Sequence, residues 1–139
     1  MTDERLDAWL LLAILIANKK GGVSLDKIIS AGDFIQHSIL TFDEIKSGIN
    51  RLMTNKLVRG VEDLITITPK ARRLFTLNTK SRVLNDLDKI ERILKSLKDY
   101  NKVSQTKHYI LTKEQYELAI QKYKNEPLSE KLQGTELDN

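Results

Sequence analysis

Between Thr41 and Pro69 the spacing of apolar residues changes from a helical to a strand period within one short stretch, TFDEIKSGINRLMTNKLVRGVEDLITITP. Ile45, Ile49 and Leu52 fall on one face of a helix, with Met53 beside them. Thr41 and Glu44 have the spacing of a capping box, in which each side chain satisfies a backbone N–H at the helix start. Residues 57–61 and 64–68 have strand composition. In the second run Leu64, Thr66 and Thr68 alternate with Ile65 and Ile67, and Glu62-Asp63 forms a tight turn between the runs. Thr68-Pro69 then supplies an N-cap and a first helical position for a helix through KARRLF. Helix, hairpin, helix is the order around which the rest of the chain has to be placed.

Upstream, the pattern predicts a helix over residues 3–20, with Asp3 and Glu4 at its positive end, Lys19 and Lys20 at its negative end, and Gly21-Gly22 stopping it. Its centre, Ala8 to Ala17, is apolar on every side. That run is roughly half the ~20 residues a membrane span needs. Asp3, Glu4 and Asp7 surround the single Arg5, which is not the start of a signal peptide. A soluble, cytoplasmic protein with no membrane partner is expected. A helix apolar all round must be covered on most faces. It is either the central core helix, or its Trp9 and Leu12 region forms a dimer seam. Ser24 caps a short second helix carrying Leu25, Ile28 and Ile29 and ending near Ala31-Gly32, and Asp33 to Leu40 adds a further helical turn. Gly48, inside the helix after Thr41, costs roughly 1 kcal/mol relative to Ala and permits close packing on the first helix.

The second half is helical in a different way. Val83, Leu87, Ile90, Leu94 and Leu97 recur at intervals of four and three, a short coiled-coil-like seam. The seam either folds back on the first helix or pairs with its copy in a dimer. Residues 107–111 suit a short extended segment. Thr112 and Gln115 make a second capping box, ahead of an apolar stripe of Tyr116, Ala119, Ile120 and Tyr123. The fold class is mainly α with a small β-hairpin (α+β). It divides into a domain over 1–78, a helical extension over 79–125 that serves packing or dimerisation, and an acidic, flexible tail over 126–139.

The net charge of +4 and a pI near 9.2 permit a nucleic-acid partner without demanding one. The excess is spread evenly over the two halves. Cysteine is absent, and His37 and His108 are far apart with no paired ligand spacing. No nucleophile motif, Gly-rich phosphate loop or metal-ligand spacing occurs, so the chain is expected to be no enzyme and to carry no cofactor and no metal.

The string T-F-D-E-I-x-x-G-I-x-R-L-x-x-x-K-L-V, then a hairpin, then I-T-I-T-P-K-A-R-R-L, resembles the winged helix-turn-helix superfamily over Asp7 to Phe75. The resemblance implies that Thr41 to Lys56 is a recognition helix and Val58 to Ile67 the wing. It implies a transcription-regulator type of protein whose partner is double-stranded DNA. On that reading Lys46, Ser47, Asn50 and Arg51 reach base edges and phosphates, with Lys56 at the helix end, while Arg59, Lys70, Arg72 and Arg73 hold the backbone. The same residue types make up any solvated helix face. The resemblance also implies a homodimer, with Val83, Leu87, Ile90, Leu94 and Leu97 as its seam. The chain departs from the pattern at three points. The segment between the second and third helices is about ten residues, against a usual turn of roughly 3–4. Asp43 and Glu44 open the recognition helix, whose start normally enters the major groove. The wing tip is Glu62-Asp63. These acidic points motivate an alternative, a winged-helix protein–protein interaction module with a protein partner and no DNA.

Overall fold

The computed structural model describes residues 1–18, 20–61, 63–76, 83–102 and 109–126, without the side chains of Val83 and Leu84. Lys19, Glu62 of the turn, the 78/79 boundary, Lys107, His108 and the tail from residue 127 lie outside the described residues.

The first helix, α1 (Asp3–Ala17), is capped by Thr2, whose side chain accepts from Arg5 N–H at 3.1 Å. It ends three residues before Lys20, because Asn18 turns out of the helical region at ψ 128°. The second, α2 (Leu25–Gln36), is one helix and not a short helix plus a turn. Gly32 does not stop it, and His37 does, with φ 54° in the left-handed region. Gly32 serves close approach instead. A Cβ there would lie 2.9 Å from Leu40 Cδ1, and its carbonyl accepts from the Trp9 indole N–H at 2.9 Å. Ser24 stands at the N-cap without a side-chain capping bond. The loop to the next helix is therefore residues 37–41, about half the segment that the sequence pattern suggests.

The third helix, α3 (Phe42–Thr54), carries the full Thr41/Glu44 box and buries Ile45, Ile49 and Leu52. Gly48 meets α1 as expected: a Cβ there would lie 2.6 Å from Leu10 Cδ2 and 2.9 Å from Asp7 Oδ1. Strands β1 (Val58–Val61) and β2 (Leu64–Ile67) form an antiparallel hairpin with Val58 opposite Ile67 and Val61 opposite Leu64. A bridge from Val23 to Ile65 lies on the far side of β2, giving the order β1–β2–Val23. Helix α4 (Pro69–Leu74) starts as the Thr68-Pro69 pair dictates, with Thr68 accepting from Ala71 N–H. Two further helices follow, α5 (Val83–Ser96) and α6 (Lys113–Asn125), the latter with the Thr112/Gln115 box.

The protein is mostly helical with a small two-stranded antiparallel sheet. Helix α1 is the centre, packed by α2, α3, α5 and β2, while α6 lies on α2. Surrounded in this way, α1 needs no amphipathic stripe. Trp9 and Leu12 are buried in the core of the single chain and form no exposed seam. Leu87, Ile90 and Leu94 of α5 are likewise buried within the chain, and Leu97 is half-buried. Arg5 ties the same two helices together through Asp88 at 2.5 Å and Glu91 at 3.0 Å. No helix among the described residues is long and apolar enough to cross a membrane.

Candidate functional site

A carboxylate within the apolar run of α1 has to find a partner, and Asp7 finds two. Arg51 Nε donates to Asp7 Oδ2 at 2.6 Å and its Nη2 to Oδ1 at 2.9 Å, a bidentate pair. The Tyr100 hydroxyl donates to Oδ2 at 2.6 Å. Burial pushes the Asp7 carboxyl up, against the Arg51 and Tyr100 hydrogen bonds that hold it down. The Tyr100 phenol is driven well above its ordinary value by burial and by the Asp7 charge. Arg51 is thus turned inward, joining α3, α1 and the segment after α5, and is not offered to a ligand. Asn50 is also turned to internal contacts. Its Nδ2 donates to Lys46 C=O at 2.9 Å, and its Oδ1 accepts from Tyr109 N–H.

The chain after α5 therefore crosses α3. Further along, Tyr116 packs edge-on against Phe42 with ring centroids 6.0 Å apart and donates to Leu40 C=O at 2.6 Å. Lys46 and Ser47 remain exposed on α3, Lys46 with its Nζ 5.7 Å from the Phe42 ring. Asp43 is exposed, and Glu44 spends one oxygen on its own capping box.

Four of the other expected residues come together. Lys56, Arg59, Lys70 and Arg73 line a groove of about 800 Å³ between the end of α3, the β1 strand and the start of α4. Its floor holds Met53, Val58, Val61 and Pro69, and among the described residues no carboxylate lines it. Lys56 is placed by a left-handed backbone, φ 60°, at the turn from α3 into β1. Lys70 reaches across to donate to Asn55 C=O at 3.0 Å. Arg72 is exposed one residue from Arg73 but outside the groove. None of these five cations has a carboxylate within ion-pair distance among the described residues. Among the described residues, four cations without a counter-ion around an apolar floor give the groove a positive potential that favours anions.

No group of His, Cys, Asp and Glu suited to a metal occurs among the described residues, and His37 sits exposed at the end of α2. The reading from sequence missed Asp7 and Tyr100. Asp7 carried a signal, a lone carboxylate entering an apolar run, while Tyr100 carried none.

All four tyrosines, Tyr100, Tyr109, Tyr116 and Tyr123, sit against the helical core, and each phenol is pushed up chiefly by burial, Tyr123 to about 12. An unfolded tyrosine ionises near ~10. A group whose folded value lies above its unfolded value contributes stability that is complete below the unfolded pKa and is lost as pH rises through the folded one. Alkaline titration is therefore expected to show phenolate absorbance appearing together with loss of helical circular dichroism. A tyrosine that ionises near ~10 with the helices intact contradicts this.

The fold and groove define a class: a mostly helical α+β protein with a short hairpin and a cationic groove beside it. Comparison of the chain with family models, with curated proteins and with solved structures gives no significant match.

Proposed function

We propose that the protein is a winged-helix DNA-binding protein of the transcription-regulator type, acting in the cytoplasm and holding duplex DNA mainly through its phosphates. The observation that carries this reading is the set of cations on α3, the turn after it, the hairpin and α4: Lys46, Lys56, Arg59, Arg72 and Arg73, which are exposed, and Lys70, which is half-buried. The order of three helices, a hairpin and a Val23 bridge beside it supports the same reading, as does the short 37–41 loop. Asn50 and Arg51 leave the set of DNA contacts because their polar groups are spent inside the protein. They are the residue types that pair with adenine and guanine edges. What remains favours backbone contacts, which position a duplex without reading its sequence. The proposal carries no dimer through Leu87, Ile90 and Leu94, which are packed within the chain.

Binding to a long duplex, followed by fluorescence anisotropy, is expected to weaken with salt at a log–log slope of about −5, roughly 0.9 for each of six neutralised phosphates. The charge reversal Arg59→Glu with Arg73→Glu is expected to flatten the slope by about 2. A salt-independent isotherm, or no binding at low salt, sinks this reading. The alternative, a protein-interaction module, is favoured by one feature, the exposed carboxylates Asp43 at the start of α3 and Asp63 at the hairpin turn.

A further inference from the structure

The groove between the end of α3, β1 and the start of α4 offers more than a phosphate backbone needs. Its rim carries Lys56, Arg59 and Arg73, all exposed, and Lys70, half-buried. Lys70 is held in place, because its ammonium donates to Asn55 C=O at 3.0 Å. Part of the apolar lining is open to a ligand as well. Val61 is 51% exposed, Pro69 is exposed and Met53 is half-buried. A duplex lays charged phosphates on such a rim, and these cover no apolar surface. At about 800 Å³ the groove falls within the roughly 300–1,000 Å³ of small-molecule sites, which combine an apolar lining with a few placed polar groups.

The lining selects the ligand at both of its ends. Among the described residues no aromatic side chain lines the groove. It therefore has no face on which a base would stack, and its aliphatic surface suits a saturated chain. The rim selects the head group. A carboxylate would answer one of the four positive charges. A phosphate monoester carries about 1.5 to 2 negative charges at neutral pH and three acceptor oxygens, and the guanidinium fork of an arginine matches phosphate geometry. We infer that the groove binds a free aliphatic phosphate monoester. Its chain lies on Met53, Val61 and Pro69, and its phosphate sits among Lys56, Arg59, Lys70 and Arg73. The rim is shared with the proposed DNA surface, so the bound ester displaces a duplex. That consequence rests on the DNA reading, and the site itself does not.

The test uses the full chain and octyl phosphate below its micellar concentration, followed by amide chemical shifts in nuclear magnetic resonance spectra. Saturable shifts are expected at Gly60, Val61 and Lys70. Inorganic phosphate, the head alone, is expected to bind at least about tenfold more weakly, since each buried CH2 is worth roughly a factor of four. Octanol, the tail alone, is expected to lose a similar factor with its charged hydrogen bonds. Val61→Thr replaces a methyl by a hydroxyl at a half-exposed strand position, and is expected to weaken the ester about threefold. Arg59→Gln changes an exposed residue that makes no ion pair among the described residues, and is expected to weaken it about tenfold. Inorganic phosphate or octanoate binding as tightly as octyl phosphate overturns the proposal, as does the absence of shifts in the groove. Capture by phosphatidic acid vesicles with no shift from the soluble ester overturns it in favour of a bilayer surface. Simultaneous binding of ester and duplex without competition removes the ester from the groove and overturns it too. Ester binding with the expected pattern but no DNA binding leaves this inference standing and removes the DNA reading.

Discussion

Arg51→Ala is expected to destabilise the fold by about 3–5 kcal/mol, because it leaves the Asp7 carboxylate buried with its bidentate partner gone. Asp7 is fully buried, and with Gly48 against it there is no room for α1 to turn the carboxylate outward. Tyr100 alone remains as a donor. Burial already pushes Asp7 up, and loss of Arg51 removes the strongest opposing contact. A carboxyl with a raised folded pKa binds its proton more readily in the native state. The deficit of the variant, measured by urea unfolding, is therefore expected to narrow as pH is lowered and to widen as it is raised. Replacing the pair together, Asp7→Leu with Arg51→Met, is expected to recover most of the loss, as exchanges of buried ion pairs for apolar residues do. Any fall in DNA affinity for Arg51→Ala should follow the unfolded fraction and vanish in the double substitution. A variant that stays fully stable while losing DNA affinity returns Arg51 to the binding surface.

Arg51 also marks where reading the sequence stopped. Residues whose placement depends on local physics were legible: the Thr41/Glu44 and Thr112/Gln115 boxes, the Thr68-Pro69 start, the Ile45–Ile49–Leu52 stripe and the close approach at Gly48 all stand where their spacing put them. Two kinds of information were not local. One is the direction a polar side chain takes. Arg51 sits on α3 one turn from Ser47, and only the position of Asp7 on another helix turns it inward. The other is the path of the chain after α5, which returns across α3 through Tyr109 and onto α2 through α6. That path, absent from any periodicity, removes Asn50 from the exposed face. Gly32 misled for a third reason. A glycine read as a helix stop was a point of contact between helices, which the helix tolerates at a cost of roughly 1 kcal/mol. The Val23 bridge was missed because a single paired residue has no period to detect.

The seam of α5 separates two physical outcomes, and Leu87→Ala decides between them. Leu87 is fully buried within the chain, as are Ile90 and Leu94 one and two turns on, and all three lie on the helix that packs α1. Truncation to Ala leaves a cavity between two helices held by the Arg5–Asp88–Glu91 contacts, which limit how far they can collapse. The expected cost is about 2–5 kcal/mol, the range for a leucine removed from a packed core. The same residue in a dimer seam would give a different signature. Unfolding would then be coupled to dissociation, and the midpoint would rise with protein concentration by mass action. Packing within the chain predicts a midpoint independent of concentration in both wild type and variant, with the two denaturant curves displaced but parallel. A midpoint that shifts with concentration in the wild type and not in Leu87→Ala would place the seam between copies and reopen the homodimer through α5.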